Sequence, residues 1–422
     1  MNSYKLIFII MLYFMSHGVF AHPRHIMSTD ELLHLAEKNS QSITTSQLNV
    51  IVKQKAIDIA KARLYPVLNA EAMDSVGFPG SSAWLGVEGL VGSPYRSGAT
   101  GGVVARQLLF DFGRTAAEIK TAQSRVNVAE QTTRVTAYEV KLLALQVFYQ
   151  CATFKKQRDL WKVLAKESSI INKEAKHFVK TGQRSIVDIY LSDSQTEEAH
   201  TAHAFYGERV RGTMKELAVI TGISDSTFEC PSLSLTLIDG LNSSNDIDAS
   251  PYVKRAEASA IVAKEKLLRE KTDLRPKVVA IASAGAMEKT HLIKNENVAA
   301  GLGIIVPLFD YNINTRINRA HAEVLAKQQN IEAQKQFIEE MNAKLDETIM
   351  ASLTRIKHLN IELTIAQEGF KVAKYRYFHL EGTLVDLREA WRNLARAETT
   401  IEEAKGNLLQ ARGAKSLLNG RA

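Results

Sequence analysis

The sequence predicts a mainly α-helical protein, duplicated as two long-helix hairpins that form an α-barrel, with strands contributed to a transmembrane β-barrel. Three observations carry this. Positions recur at a fixed spacing: Ile119, Ala122, Val126, Val140, Leu143, Val147 and Asp188 are matched by Ile317, Ala320, Val324, Ile338, Met341, Leu345 and Asp386 (317 − 119 = 386 − 188 = 198). A constant offset means no net insertion in either copy, as expected of long helices that must end level with their neighbours. The composition is that of packed helices, with 7% aromatics and 8 prolines in 422 residues. Each copy also holds two segments of about ten residues whose apolar positions alternate, the period of a strand with one apolar face.

The elements follow in order. Residues 28 to 65 read as helix, opened by Ser28-Thr29-Asp30-Glu31 and stopped before Pro66, which disfavours helical geometry in the residue ahead of it. The second copy repeats this from Ser250-Pro251 to Pro276. After each proline the period becomes alternating. Strands are expected over about 67–77 and 100–110 around a Gly, Pro and Ser-rich stretch, Phe78 to Ala99. Leu68, Ala70, Ala72 and Val76 share one face of the first, with Asn69, Glu71 and Ser75 opposite. In copy two the strands are expected over about 277–287 and 297–309, around the polar loop Glu288 to Glu296. There Val298, Ala300, Leu302, Ile304 and Val306 line one face.

Each strand pair opens into a long helix at Phe110-Asp111-Phe112-Gly113 and Phe309-Asp310-Tyr311-Asn312, where Asp111 and Asp310 are N-cap candidates. Ile119, Ala122, Val126, Ala129, Thr133, Thr136, Val140, Leu143 and Val147 then keep 3-4 spacing, a heptad seam rich in small residues. A helix from Asp111 to about His177 would span roughly 100 Å at 1.5 Å per residue. The long helices are expected to stop at Thr181-Gly182 and Glu381-Gly382, with each glycine in the left-handed position. Return helices begin at Ser185 and Thr383. The domain expectation is therefore a leader over 1–21, a first repeat over 22–222, a linker over 223–249, a second repeat over 250–412 and a tail over 413–422.

The leader rests on Lys5, the apolar run Leu6 to Met15, and small residues at the −3 and −1 positions of Val19-Phe20-Ala21. That run is too short to span a bilayer as a helix. The net charge of +7 is spread along helical faces where both signs alternate, which argues against a nucleic-acid partner. Cys151 and Cys230 make no metal pattern. A buried free Cys151 and a Cys151–Cys230 disulfide are both compatible with the sequence. No cofactor is indicated: Gly301-x-Gly303 lacks the rest of a dinucleotide fingerprint, and His200 with His203 lacks the acidic partner set of a zinc protease.

Four strands cannot close a barrel, since the smallest known have about eight. Two or more chains must therefore share one, and three would give twelve strands. The duplicated order, the transitions Ala-Arg-Leu-Tyr-Pro (62 to 66) and Asp-Leu-Arg-Pro (273 to 276), the Leu-Phe-Asp junctions, and the tips Gly-Gln-Arg-Ser-Ile-Val-Asp (182 to 188) and Gly-Thr-Leu-Val-Asp (382 to 386) resemble the TolC family of outer membrane efflux proteins over the whole mature chain. The resemblance implies a homotrimer with a twelve-stranded barrel in outer membrane lipid and a long α-helical barrel crossing the periplasm. It implies a periplasmic adaptor and an inner membrane pump or ABC transporter as partners, and export of small molecules or proteins with no catalytic chemistry.

The resemblance also points to residues. Asp386 matches the first acid of the family's cation-binding constriction, Glu389 stands three residues on, Asp188 is the copy-one equivalent, and Tyr377 lies near the family's gate tyrosine. The turns Gly182, Gln183, Arg184 and Glu381, Gly382, Thr383 are expected to dock the adaptor. Counted from its glycine, the second turn looks two residues shorter than the first and lacks an arginine matching Arg184. Against a channel role, Ser185-x-x-Asp188 and Thr383-x-x-Asp386 read equally well as helix caps. Phe110, Phe112, Phe309 and Tyr311 read as a membrane-interface belt, with junction packing as the simpler account. The main rival is a soluble periplasmic coiled-coil scaffold or adaptor.

Overall fold

The computed structural model describes residues 25–76, 84–85, 93–94, 97–224, 228–231, 246–289 and 293–419. The expected leader, most of the 78–99 stretch and most of the linker lie outside them. In chain order the elements are β1 (His25–Ile26), α1 (Thr29–Asn39), α2 (Gln41–Ala62), β2 (Val67–Val76), β3 (Trp84–Leu85), β4 (Ser93–Pro94), β5 (Ser97–Phe110) and the long helix α3 (Arg114–Lys180). Then come α4 (Ile186–Thr221), β6 (Phe228–Glu229), α5 (Pro251–Thr272), β7 (Lys277–Lys289), β8 (Ile293–Ile305), the second long helix α6 (Tyr311–Phe378) and α7 (Leu384–Leu418). The long helices hold 67 and 68 residues.

The chain forms two compact units, and they are not the two repeats. One takes 1–40, 139–244 and 342–422, the other 41–138 and 245–341, so each draws on both copies. The division explains a departure from expectation. The first helix is broken at Ser40, whose φ of −71° and ψ of 119° are extended. Its first piece, α1, buries Leu32 and Ala36 completely, and Asn39 at its end donates a side-chain hydrogen bond to the carbonyl of Thr221 that ends α4.

In the unit containing α1, α4 and α7, the core lies in layers along the helices. One layer joins Leu164, Ala165, Ala199, Trp391, Leu394 and Ala395. Another joins Ile356, Leu359, Ile401, Ala404 and Leu408. The helix α7 does not stop at Gly413, where a tail was expected, but continues to Leu418. Gly413 packs closely there, since an added Cβ would lie 3.2 Å from Leu145 Cδ1. Cys151 and Cys230 are joined in a disulfide with Cα atoms 5.6 Å apart, so the free-cysteine alternative falls. The adjoining β6 pairs in parallel with β1, and Lys155 donates to the Cys230 carbonyl at 2.9 Å while pairing with Glu229 at 3.0 Å.

The other unit carries a four-stranded antiparallel sheet in the order β2-β5-β7-β8. β7 and β8 run further into the expected polar loop than its sequence suggested, with Lys289 opposite Ile293. β8 ends at Ile305, four residues before the expected Phe309 (309 − 305 = 4); Pro307 just beyond has no N–H for the ladder. The register aligns side chains across the sheet. Leu68, Ala70 and Ala72 stand on the face of Ala105, Val103 and Gly101, which continues through Ala282 and Ala284 to Ala300 and Val298, with Ala280 opposite Leu302 and Val278 opposite Ile304. Over these positions the face is apolar and open, with Leu68, Leu302 and Ile304 69%, 74% and 71% exposed, while the register brings Gln107, opposite Ala280, and Asp74, opposite Ala99, onto it toward its two ends. The opposite face carries Asn69, Glu71, Arg106 and Ser283.

Ion pairs fix the strand-to-helix transitions, and the two copies carry them with charge reversed. Arg63, three residues before Pro66, pairs with Glu118 of α3. Asp273, three residues before Pro276, pairs with Arg316 of α6 at 2.6 Å, and 316 − 118 is again 198. Asp273 is buried and also meets Arg114 at 3.0 Å. Buried carboxylates persist only when paired in this way.

Candidate functional site

The two helix turns lie in the same unit and share one hydrogen-bonding design. At the first, Gln183 N–H donates to the Phe178 carbonyl at 2.8 Å and Gly182 N–H to that of Val179 at 3.1 Å, the paired bonds of a Schellman cap. Gly182 has φ +74°, the left-handed value glycine adopts without strain. At the second, Glu381 N–H donates to Arg376 at 2.8 Å and Leu380 N–H to Tyr377 at 3.1 Å. The left-handed residue there is Leu380, with φ +66°, and not Gly382 as expected. Because 380 − 182 is 198, the offset holds through the turn, and the second turn is not shortened. Gly382 is a glycine for another reason: an added Cβ would sit 3.1 Å from Arg376 Cβ.

The turns are cross-connected through Arg184. Its guanidinium donates to the Gly382 carbonyl and lies 5.2 Å from the centroid of the Tyr377 ring. Arg184 and Gly382 are themselves equivalent positions (382 − 184 = 198). Tyr377 is fully buried, packs edge-on to Phe178 at 5.9 Å, and donates its hydroxyl to Asp188 at 3.2 Å. Burial first, and then the charge of Asp188, hold the Tyr377 phenol far above its usual range. Asp188 therefore meets a buried donor, beyond the cap that Ser185 provides by accepting from Val187 N–H at 3.3 Å. Ile171, Ala175, Leu384 and Leu387 close the core beneath the ring.

Asp386 is used differently. Thr383 Oγ1 accepts from Asp386 N–H at 3.1 Å and donates to its carboxylate at 2.8 Å, while Thr383 N–H donates to the same oxygen at 3.4 Å, a complete capping box. Glu389 is exposed one turn on, where its charge contributes to raising the Arg392 guanidinium, whose main partner is Glu198 at 2.8 Å. Gln183, Glu381 and Thr383 are exposed at the turns. Sequence reasoning missed Phe178 and Leu380, and gave Arg184 no partner. The constant offset was the signal, because it aligns Leu380 with Gly182 directly.

The aromatic candidates lie in the sheet unit. Phe110 ends β5, Phe112 follows with φ +52°, and their rings meet edge-on at 4.6 Å. Phe309 and Tyr311 flank the start of α6 and are 83% and 75% exposed. Asp111 accepts from the N–H groups of Gly113 at 3.2 Å and Thr115 at 2.7 Å, and Asp310 from that of Asn312 at 2.9 Å. Among the described residues no helix is long and apolar enough to cross a membrane.

Residues 32–222, essentially the first repeat, match the family model described as outer membrane efflux protein. No curated protein matches the chain in sequence. Solved structures share the fold over nearly its whole length. CusC, described in terms of transmembrane channel formation, is 13% identical with a TM-score of 0.78, covering 96% of this chain and 95% of that one. VceC, an outer membrane protein of Vibrio cholerae, is 15% identical at 0.76, covering 93% and 96%. The CmeC outer membrane channel of Campylobacter jejuni is 13% identical at 0.75, covering 93% and 86%. At such identities the likeness speaks for the fold alone. Residues 32–222 therefore match the outer membrane efflux protein family in sequence, and the fold shared with solved outer membrane channels extends through the second repeat.

Proposed function

We propose that this protein is the outer membrane channel of an efflux or secretion assembly, exporting small molecules or proteins without catalytic chemistry of its own. The observation that carries the proposal is the apolar face that crosses β2, β5, β7 and β8 between Asp74 and Gln107 and is left open to its surroundings. In water such a face would drive aggregation. Against lipid it is required, provided every edge amide is paired, which four strands from one chain cannot achieve alone. Three chains give twelve strands and one closed barrel. The family supports a periplasmic adaptor and an inner membrane pump as partners. The exposed turn residues Gln183, Glu381 and Thr383 are the docking points we assign to them.

The Tyr377–Asp188 bond and the Arg184 bridge hold the turns together and form the closed gate. Asp386 and Glu389, brought to a threefold axis, would place carboxylates in a narrow mouth, whose mutual repulsion favours bound cations. Two measurements test the proposal. Membrane fractionation should recover an outer membrane oligomer that dissociates on heating in detergent, whereas a water-soluble monomer obtained without detergent overturns it. Planar-bilayer recordings should show a cation-selective pore that multivalent cations block. Unchanged selectivity in an Asp386→Asn, Glu389→Gln double variant would reduce those acids to capping and surface charge.

A further inference from the structure

The internal duplication can be written as a rule for residue pairs in the sheet. Adding 210 to a β2 residue and 199 to its β5 partner turns Val67 opposite Arg106 into Lys277 opposite Ile305, and Ala72 opposite Gly101 into Ala282 opposite Ala300. Both products are observed pairs of β7 and β8, so the two hairpins are the same object in the same register. The seam between them, β5 against β7, is thus a junction of one repeat with the next. The two free edges, β2 and β8, are the first and last strands of the same repeating series. All three pairings are antiparallel, so β8 runs opposite to β2, and a second copy in the same orientation continues the alternation at either edge.

We infer that β8 of one copy pairs with β2 of the next in the register that repeats the internal seam. The rule converts Ala105 opposite Ala282 into Ile304 opposite Ala72 (105 + 199 = 304; 282 − 210 = 72). Ile304 and Ala72 are exposed in the single chain and belong to the apolar face, which this register carries across the junction without a step. A slip of one residue would instead turn the face holding Glu71 and Asn69 outward, so the pattern excludes odd slips, and the register of the internal seam selects among the even ones. Repeating the junction head to tail closes a ring, because no copy is left with an unused edge. The inference rests on the shared-barrel proposal and adds to it which residues meet.

Cysteine pairs in the full-length protein, isolated in membranes and oxidised, decide it. An Ala72→Cys, Ile304→Cys variant should give covalent dimers and trimers and nothing larger on non-reducing gels. The internal counterpart, Ala105→Cys with Ala282→Cys, should crosslink within one chain and stay at monomer size. Ala72→Cys with Leu302→Cys, a two-residue slip that keeps the face, should crosslink at least tenfold more slowly. Faster crosslinking of the slipped pair, or an intact oligomer that neither pair captures, overturns the register and leaves the shared barrel standing. Absence of any oligomer in untreated wild-type membranes overturns the shared barrel and the register together.

Discussion

Tyr377→Phe isolates one bond of the proposed gate. The substitution keeps the ring that packs on Phe178 and seats Arg184, and removes only the hydroxyl donated to Asp188 at 3.2 Å. A hydrogen bond to a charged acceptor contributes about 1.5–3 kcal/mol. The length of this one and the half-exposed position of Asp188, which water can reach after the change, put the loss at the lower end, about 1.5 kcal/mol. If the bond exists only in the closed arrangement, that loss shifts the opening equilibrium about tenfold. Single-channel recording should show an open fraction about tenfold higher. Asp188→Asn should act in the same direction, and the double variant should add little to Tyr377→Phe, since one interaction is lost in both. The pH dependence carries a sign as well. The phenol favours its neutral form in the folded turn, so its contribution is complete below its ordinary value of about 10 and is lost as pH rises beyond it. Wild type should therefore open more readily above that pH, and Tyr377→Phe should show a flatter profile. An open fraction unchanged by both single variants would refute the gate assignment.

Further outcomes follow from the caps, ion pairs and disulfide. Leu380→Gly should raise thermal stability by up to about 1 kcal/mol by relieving a left-handed leucine, while Gly182→Ala should lower it by about 1 kcal/mol. Reversing Arg63 to Glu or Glu118 to Arg alone should cost no more than about 1 kcal/mol in denaturant unfolding, because both groups are partly solvated, and the double reversal should restore the loss. Asp273→Asn should cost about 1.5 kcal/mol, since it removes the buried acid shared by Arg114 and Arg316 while both arginines stay partly solvated and Arg316 keeps Glu270 at 3.4 Å. Reductant should lower the thermal midpoint of wild type by the equivalent of about 2–4 kcal/mol, and should leave a Cys151→Ser, Cys230→Ser double variant unmoved.

Much of the fold was legible because long helices and a two-sided strand impose periods on the chain. Pro66 and Pro276 marked both helix-to-strand transitions, and the alternation from Val298 to Ile304 marked the apolar face that the register bears out. The break at Ser40 was hidden, because helical periodicity continues on either side and only the docking of Leu32 and Ala36 in a different unit sets the break. The second turn was misjudged by trusting glycine as a left-handed marker: Leu380 takes that conformation through its cap bonds, and Gly382 is needed for close packing. Asp188 and Asp386 read alike in sequence. They differ in structure because only Asp188 faces a buried tyrosine, a contact between residues 189 positions apart.

Because the unit holding both turns draws on both repeats, its completion has an order in time. Its last component is α7, residues 384 to 418, which brings Leu384, Leu387, Trp391, Leu408, Leu409 and Leu418 into full burial. Until that segment is available, Leu164, Ile171 and Ala199 on the earlier helices have nothing to bury against from α7. A chain delivered from its N-terminus therefore cannot lock this unit progressively. It stays loosely held, and open to proteases and holding chaperones, until α7 arrives. A truncation of a few dozen C-terminal residues would then act on the turns, far away in sequence, by leaving them without a core to stand on.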